Sequence, residues 1–132
     1  MKVLEDWKIR VSVLWLFVIV SDLTNIVMSL SYPGTLEELE TYAETMGPEL
    51  MLAGAVVALI PLVMAVLTLT LEGSINRWLN IISGVVFTLI FFGSAIELAT
   101  SMPAAHIQLL SVAGIIASAL IVWFAWKSKP KA

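Results

Sequence analysis

The sequence predicts an all-α membrane protein: a four-transmembrane-helix bundle with a short interfacial helix between spans one and two. Three observations predict it. Hydrophobic residues make up 60% of the 132 residues and charged ones 13%, and the mean hydropathy is +0.99. A soluble domain is about half apolar and about a quarter charged, and a chain this short cannot hide so much apolar surface in a water-soluble core. The apolar residues gather in four runs, each long enough for the ~20 residues that cross a ~30 Å hydrocarbon layer. The charges gather between those runs and segregate by sign. Residues 1–132 are read as one membrane domain.

The first ten residues (MKVLEDWKIR) are amphiphilic, and Trp7, Lys8 and Arg10 suit an interfacial anchor. Span one is about 11–30. It is too long for the h-region of a cleaved signal peptide, and it carries Asp22 near its middle. An acid there costs about 2.5–3.5 kcal/mol, offset by the surrounding Val, Leu, Ile and Phe at roughly 0.3–0.6 kcal/mol each. Ser31-Tyr32-Pro33-Gly34 is a stop and turn. Thr35 and Glu38 have the spacing of a capping box. Beyond them Leu36, Leu39, Ala43 and Met46 recur on one helical stripe, with Glu37, Glu38, Glu40 and Glu44 largely off it. This predicts a surface helix over about 35–46, ended by Gly47-Pro48.

Span two is about 50–71, with Pro61 at its middle as a helix kink. In Glu72-Gly73-Ser74, Gly73 suits a C′ position and Ser74 an N-cap. Span three is about 77–98. Ser101 is the expected N-cap of span four, about 104–126, with Pro103 in its first turn. The tail from Lys127 to Lys131 is polar.

Four spans place both termini on one side. All seven Lys and Arg then fall on that side: Lys2, Lys8, Arg10, Arg77, Lys127, Lys129 and Lys131. The positive-inside rule makes that side cytoplasmic, which predicts a multi-pass protein of the cell (plasma) membrane with both termini inside. Trp7, Trp15, Trp78, Trp123 and Trp126 lie in the same half, and Tyr32 and Tyr42 in the other, as interfacial aromatic belts do.

Four segments carry a resemblance: Leu4-Glu5-Asp6-Trp7-Lys8-Ile9, Ile60-Pro61-Leu62-Val63-Met64, Asn76-Arg77-Trp78-Leu79-Asn80-Ile81-Ile82 and Ile121-Val122-Trp123-Phe124-Ala125-Trp126-Lys127. In these the chain resembles an uncharacterised family of small four-span integral membrane proteins of bacteria and archaea. Asn-Arg-Trp-Leu-Asn is the most specific piece, and an acid in span one also matches. The acidic segment 35–46 is less typical of that family. The resemblance implies an architecture and no activity.

Asp22 is the foremost site candidate. Ionisable groups within a span usually face the bundle interior and mark pathways or relays. Asn25 and Ser29 follow at i+3 and i+7, so the three share one face. The alternative is a neutral carboxyl acting as interhelical hydrogen-bond glue. Pro61 offers a neighbour, because proline leaves the Val57 carbonyl without its helical donor and lipid supplies none. With spans centred near residues 20 and 60, Asp22 and Val57 both fall within about 5 Å of the midplane at 1.5 Å per residue. Asp22 or Asn25 is therefore expected to reach that bend.

Glu97 and His106 are a second candidate pair, at the outer rim on either side of the last turn, and Ser94 could join Glu97. The plainer reading is two wetted residues at a helix end. The five Glu between 37 and 49 form either a cation-attracting or simply a solvated face. Gly54, Ala58, Ala65, Gly84, Thr88, Ser111, Gly114 and Ser118 are small residues at helical spacing, suited to close helix packing. Arg77, Trp78, Trp123 and Trp126, with Trp7, are interface anchors. Arg77 is expected to pair with Glu72 or a lipid phosphate, and the terminal lysines to touch anionic headgroups.

There is no Cys, which removes disulfides, thiolate nucleophiles and thiolate metal sites. One His beside so few acids assembles neither a metal centre nor a Ser-His-Asp set. No phosphate-binding loop and no broad basic surface for nucleic acid is present. The expectation is a protein that is no enzyme, holds no metal and no cofactor, and has membrane lipids, a second copy or a membrane subunit as partners. Two functions remain. One is a binding or transport module, similar in plan to small proton-coupled exporters but with one-sided charges and without their signature segments. The other is a structural or accessory subunit.

Overall fold

The computed structural model describes residues 6–101 and 105–128, and these form five helices. They are α1 (Asp6–Ser29), α2 (Thr35–Thr45), α3 (Pro48–Thr70), α4 (Gly73–Ser101) and α5 (Ala105–Lys127). Four of them, α1, α3, α4 and α5, are long and apolar enough to cross a membrane. Lys2, Leu4, Glu5, Pro103, Ala104, Lys129 and Lys131, among the residues named from the sequence, lie outside the described residues.

Boundaries differ from the sequence expectation by a few residues. Helix α1 starts at Asp6, so Trp7, Lys8 and Arg10 belong to its first turns. Helix α3 begins on Pro48 itself, where the missing N–H is harmless, with Gly47 as N-cap. Only Leu71 and Glu72 separate α3 from α4, and Gly73, at φ +71°, opens α4. That positive φ is what a glycine permits in so short a turn. The expected cap of span four by Ser101 involves residues 102–104, which lie outside the described residues. Ser101 itself is helical, within α4, and its hydroxyl donates back to the Glu97 carbonyl at 2.9 Å. The expected capping box at Thr35 is absent. Gly34, at φ 88°, caps α2 without any side-chain bond, and the Thr35 hydroxyl is buried with no partner.

The four long helices alternate in direction. Lys8 Nζ donates to the Leu71 carbonyl (2.9 Å) and Ser12 Oγ to the Ala65 carbonyl (2.8 Å), which sets α1 antiparallel to α3. Arg77 donates to the carbonyls of Ala125 (3.2 Å) and Trp126 (2.8 Å), which sets α4 antiparallel to α5. The bundle thus has a basic end, with α1's start, the α3–α4 turn and α5's finish. Its acidic end carries α2 and the α4–α5 connection.

Packing is uneven between the two ends. Val11, Trp15, Val18, Met64, Ala65, Phe87, Ala117 and Ile121 form the buried core, towards the basic end and the bundle's middle. Gly84 lets α4 and α5 meet, since a Cβ there would lie 2.7 Å from Val122 Cγ2. Gly114 packs under Phe91, whose ring would be 3.4 Å from a Cβ. Helix α3 packs against the core from Ile60 onward. Pro61, Met64, Ala65 and Thr68 are buried, whereas residues 48–59 are all exposed. Helix α3 is continuous through Pro61, and it barely touches α4. A seam therefore opens between them in the acidic half.

Candidate functional site

The polar chemistry of the bundle divides between its ends. At the basic end the buried polar groups satisfy one another. Asn80 accepts from the Trp15 indole N–H (2.8 Å) and the Thr68 hydroxyl (3.0 Å). Its amide donates to the Asn76 carbonyl (2.9 Å) and to Asn76 Oδ1 (2.8 Å). Asn76 in turn donates to the carbonyls of Thr68 and Leu71, both at 2.9 Å. The Leu71 carbonyl sits at the free C-terminal end of α3, where helical donors run out. Asn76 and Lys8 supply them. This network ties α1, α3 and α4 together and fills the bundle axis at that end.

Sequence reasoning read Asn76 through Trp78 as an interface anchor and missed this network. The available signal was Asn76 and Asn80 at i and i+4, on one face at the edge of an apolar run. Trp15 is likewise no belt residue. It is fully buried, with its ring edge-on to Phe87 at 5.6 Å. Trp78, Trp123 and Trp126 are exposed, as interface anchors would be. Arg77 stacks over Trp126 at 5.5 Å and Lys127 over Trp123 at 4.2 Å.

At the acidic end polar groups are left over. Asn25 Nδ2 reaches Ser111 Oγ at 3.4 Å, but Asn25 Oδ1 is buried without a partner. Thr35 Oγ1 and Gln108 Nε2 are in the same condition. No described residue hydrogen-bonds to the Asp22 carboxyl. Asp22, Asn25 and Thr35, though not Gln108, lie on a pair of clefts that share a wall. The polar cleft, about 280 Å³, lies among α1, α4 and α5 under the start of α2, and is lined by Asp22, Asn25, Ser29, Thr35, Ser94 and Ser111 among others. The apolar cleft, about 310 Å³, lies in the α3–α4 seam and is lined by Gly54, Val57, Ala58, Pro61, Phe87 and Ile90. Asp22, Ile26, Phe91 and Ser94 line both. Ligand pockets start at about 300 Å³, so each cleft is near the lower bound and the pair is well within it.

Asp22, Asn25 and Ser29 therefore do share one cleft, and Asp22 shares the other with Val57 and Pro61. The expected reach to the Pro61 bend is not made. No described residue bonds Asp22 or Asn25 to the Val57 carbonyl; Asn25 turns to Ser111 on α5 instead. Glu97 and His106 line neither cleft, are both exposed, and form no ion pair with each other. Ser94 faces Asp22's clefts rather than completing a site with Glu97. Gly54 and Ala58 were expected to pack against a helix and instead line the open cleft, with nothing within 4 Å of a Cβ at Gly54. The sequence groups Ser94 with Glu97 and Ser111 with the small packing residues, and Gln108 is legible only as a polar residue in an apolar span.

A family model described as a family of unknown function, DUF6326, matches residues 1–131. No curated protein and no solved structure matches the chain.

Proposed function

We infer a function from the site itself, because the chain belongs to DUF6326, a family of unknown function. The reading is a multi-pass membrane protein, with both termini cytoplasmic, that binds a small molecule in the joined clefts of its outer half. The observation that carries it is the Asp22 carboxyl. It stands at mid-span on the wall common to both clefts, and no described residue bonds to it. A carboxyl at that depth is costly, and such groups ordinarily mark a pathway or a ligand's counter-group. Orphaned Asn25 Oδ1 beside it supports the same reading, because a buried acceptor without a donor costs about 1–3 kcal/mol. The basic end is filled by the Asn76–Asn80 network, so the clefts are approached from the acidic end or from lipid. Binding without chemical conversion is the form proposed, given the residues available.

Native mass spectrometry of the purified chain tests this. A co-purifying molecule is expected on the wild type and is expected to be lost from Gly54→Leu, which fills the apolar cleft where a Cβ meets nothing. Identical spectra from both proteins would defeat the reading. The accessory-subunit alternative draws on the same free carboxyl: Asp22 as interhelical glue needs a donor from another chain, inserted along the exposed flank of α3. A stable stoichiometric partner lost in Asp22→Leu would favour it.

A further inference from the structure

We propose that the joined clefts take a primary alkylammonium, a hydrocarbon chain ending in –NH₃⁺, admitted from the bilayer through the α3–α4 seam. This rests on the binding role just proposed and names its ligand class. The head of such a ligand has three N–H donors and no acceptor. The site offers the reverse: the free Asp22 carboxyl, Asn25 Oδ1 without a donor, and the Ser94 hydroxyl on the facing wall. A carboxylate in a low-dielectric cleft is stabilised by an opposite charge that also hydrogen-bonds to it. The clefts have no such charge to give, since no Lys, Arg or His lines either one. No Lys or Arg occurs between Arg10 and Arg77, or between Arg77 and Lys127. The counter-charge must come from outside.

The same absence selects among cations. A lipid with an amine in its headgroup also carries a phosphate, and the acidic half has no Lys or Arg to pair with that phosphate. A free alkylamine has no such group. A metal ion is disfavoured because no cluster of three His or acidic ligands exists among the described residues. The tail is accommodated by the apolar cleft, where Gly54 leaves space on α3 and Phe87 and Ile90 wall the α4 side. Exposure of residues 48–59 leaves this arm open to lipid without any helix having to move.

The test uses the full chain in phosphatidylcholine nanodiscs, titrated calorimetrically with octylammonium, octan-1-ol and octyltrimethylammonium against empty discs. Octylammonium is expected to bind saturably at one per chain. The Asp22→Asn variant, with unchanged helix content, is expected to bind it at least about tenfold more weakly, as loss of a charge-assisted bond implies. Octyltrimethylammonium, which lacks N–H donors, is expected to be weaker too, and Gly54→Leu to block the alkyl arm. If octan-1-ol binds equally well and Asp22→Asn is without effect, the amine is the wrong ligand, while the cleft remains a binding site. If discs containing phosphatidylethanolamine abolish octylammonium binding, a lipid headgroup occupies the site and the free amine is overturned. If no probe binds and Gly54→Leu also leaves the mass spectrum unchanged, both this ligand and the binding role fall.

Discussion

The Trp15 indole donates to Asn80 Oδ1 at 2.8 Å, joining α1 to α4, two helices that share little backbone contact. Both residues are fully buried. The bond is one arm of a centre in which Asn80 also holds Thr68 and Asn76. The basic end is closed by this polar knot as much as by apolar packing. That suits a membrane protein, since helix association in lipid lacks the hydrophobic driving force that water supplies.

Asn80→Leu should therefore destabilise the bundle although Leu is the more lipophilic residue. It removes the acceptor for Trp15 and the donor to Asn76, leaving buried groups unpaired at about 1–3 kcal/mol each where they find no substitute, while the Thr68 hydroxyl keeps the Met64 carbonyl at 2.6 Å. Unfolding of the detergent-solubilised chain, followed by circular dichroism, should show a lower midpoint than the wild type. An unchanged midpoint would mean that the knot does not hold the helices.

Two glycines should behave oppositely. Gly84→Leu drives a side chain into Val122 and Ile121, against which a Cβ alone would already be 2.7 and 3.3 Å away. Overpacking of this kind costs about 1–3 kcal/mol. Gly54→Ala meets nothing within 4 Å and should be neutral or stabilising, because alanine is favoured over glycine within a helix by about 0.8–1.0 kcal/mol. Parallel thermal melts check the pair, and equal losses at both positions would contradict the packing described.

The spans were legible because length and hydropathy alone define them, and helix ends moved by only a few residues. The inward faces were not. Lipid tails are as apolar as leucine, so core-facing and lipid-facing Leu or Val carry the same pattern in a span. Trp15 and Trp78 look alike in sequence, yet one is buried and the other exposed. Asp22, Asn25 and Ser29 could be grouped because helical spacing puts them on one face. Their neighbours Ser94 and Ser111 come from other helices, and only the register of α4 and α5 brings them near. Thr35 has the right spacing for a cap, but the left-handed Gly34 takes that position.

The orientation proposed above rests on charge and can be checked directly, because the chain has no native Cys. Glu44→Cys, on exposed α2, should react with a membrane-impermeant maleimide on intact cells. Ser74→Cys, exposed at the α3–α4 turn, should react only after permeabilisation. The reverse pattern would place the clefts on the cytoplasmic side and undo the assignment of their outward opening.

Asp22 supplies the sharpest expectation, because its two roles predict opposite signs. If the carboxyl were glue, Asp22→Leu would break a bond between helices and lower stability. In the structure no described residue bonds to it, and it is exposed on the cleft wall. An acid at mid-helix costs about 2.5–3.5 kcal/mol on insertion, whereas leucine contributes roughly 0.3–0.6 kcal/mol in favour. Asp22→Leu should then raise the unfolding midpoint of the ligand-free chain while abolishing what binds there, a trade of stability against function common at binding sites. Melts of Asp22→Leu and wild type, each with and without octylammonium, separate the outcomes. The variant should start higher and gain nothing from the amine, and the wild type should start lower and rise with it. A variant that melts below the wild type in the absence of ligand would mean that Asp22 is bonded within the bundle or to a second chain, and that the cleft around it is closed in the membrane.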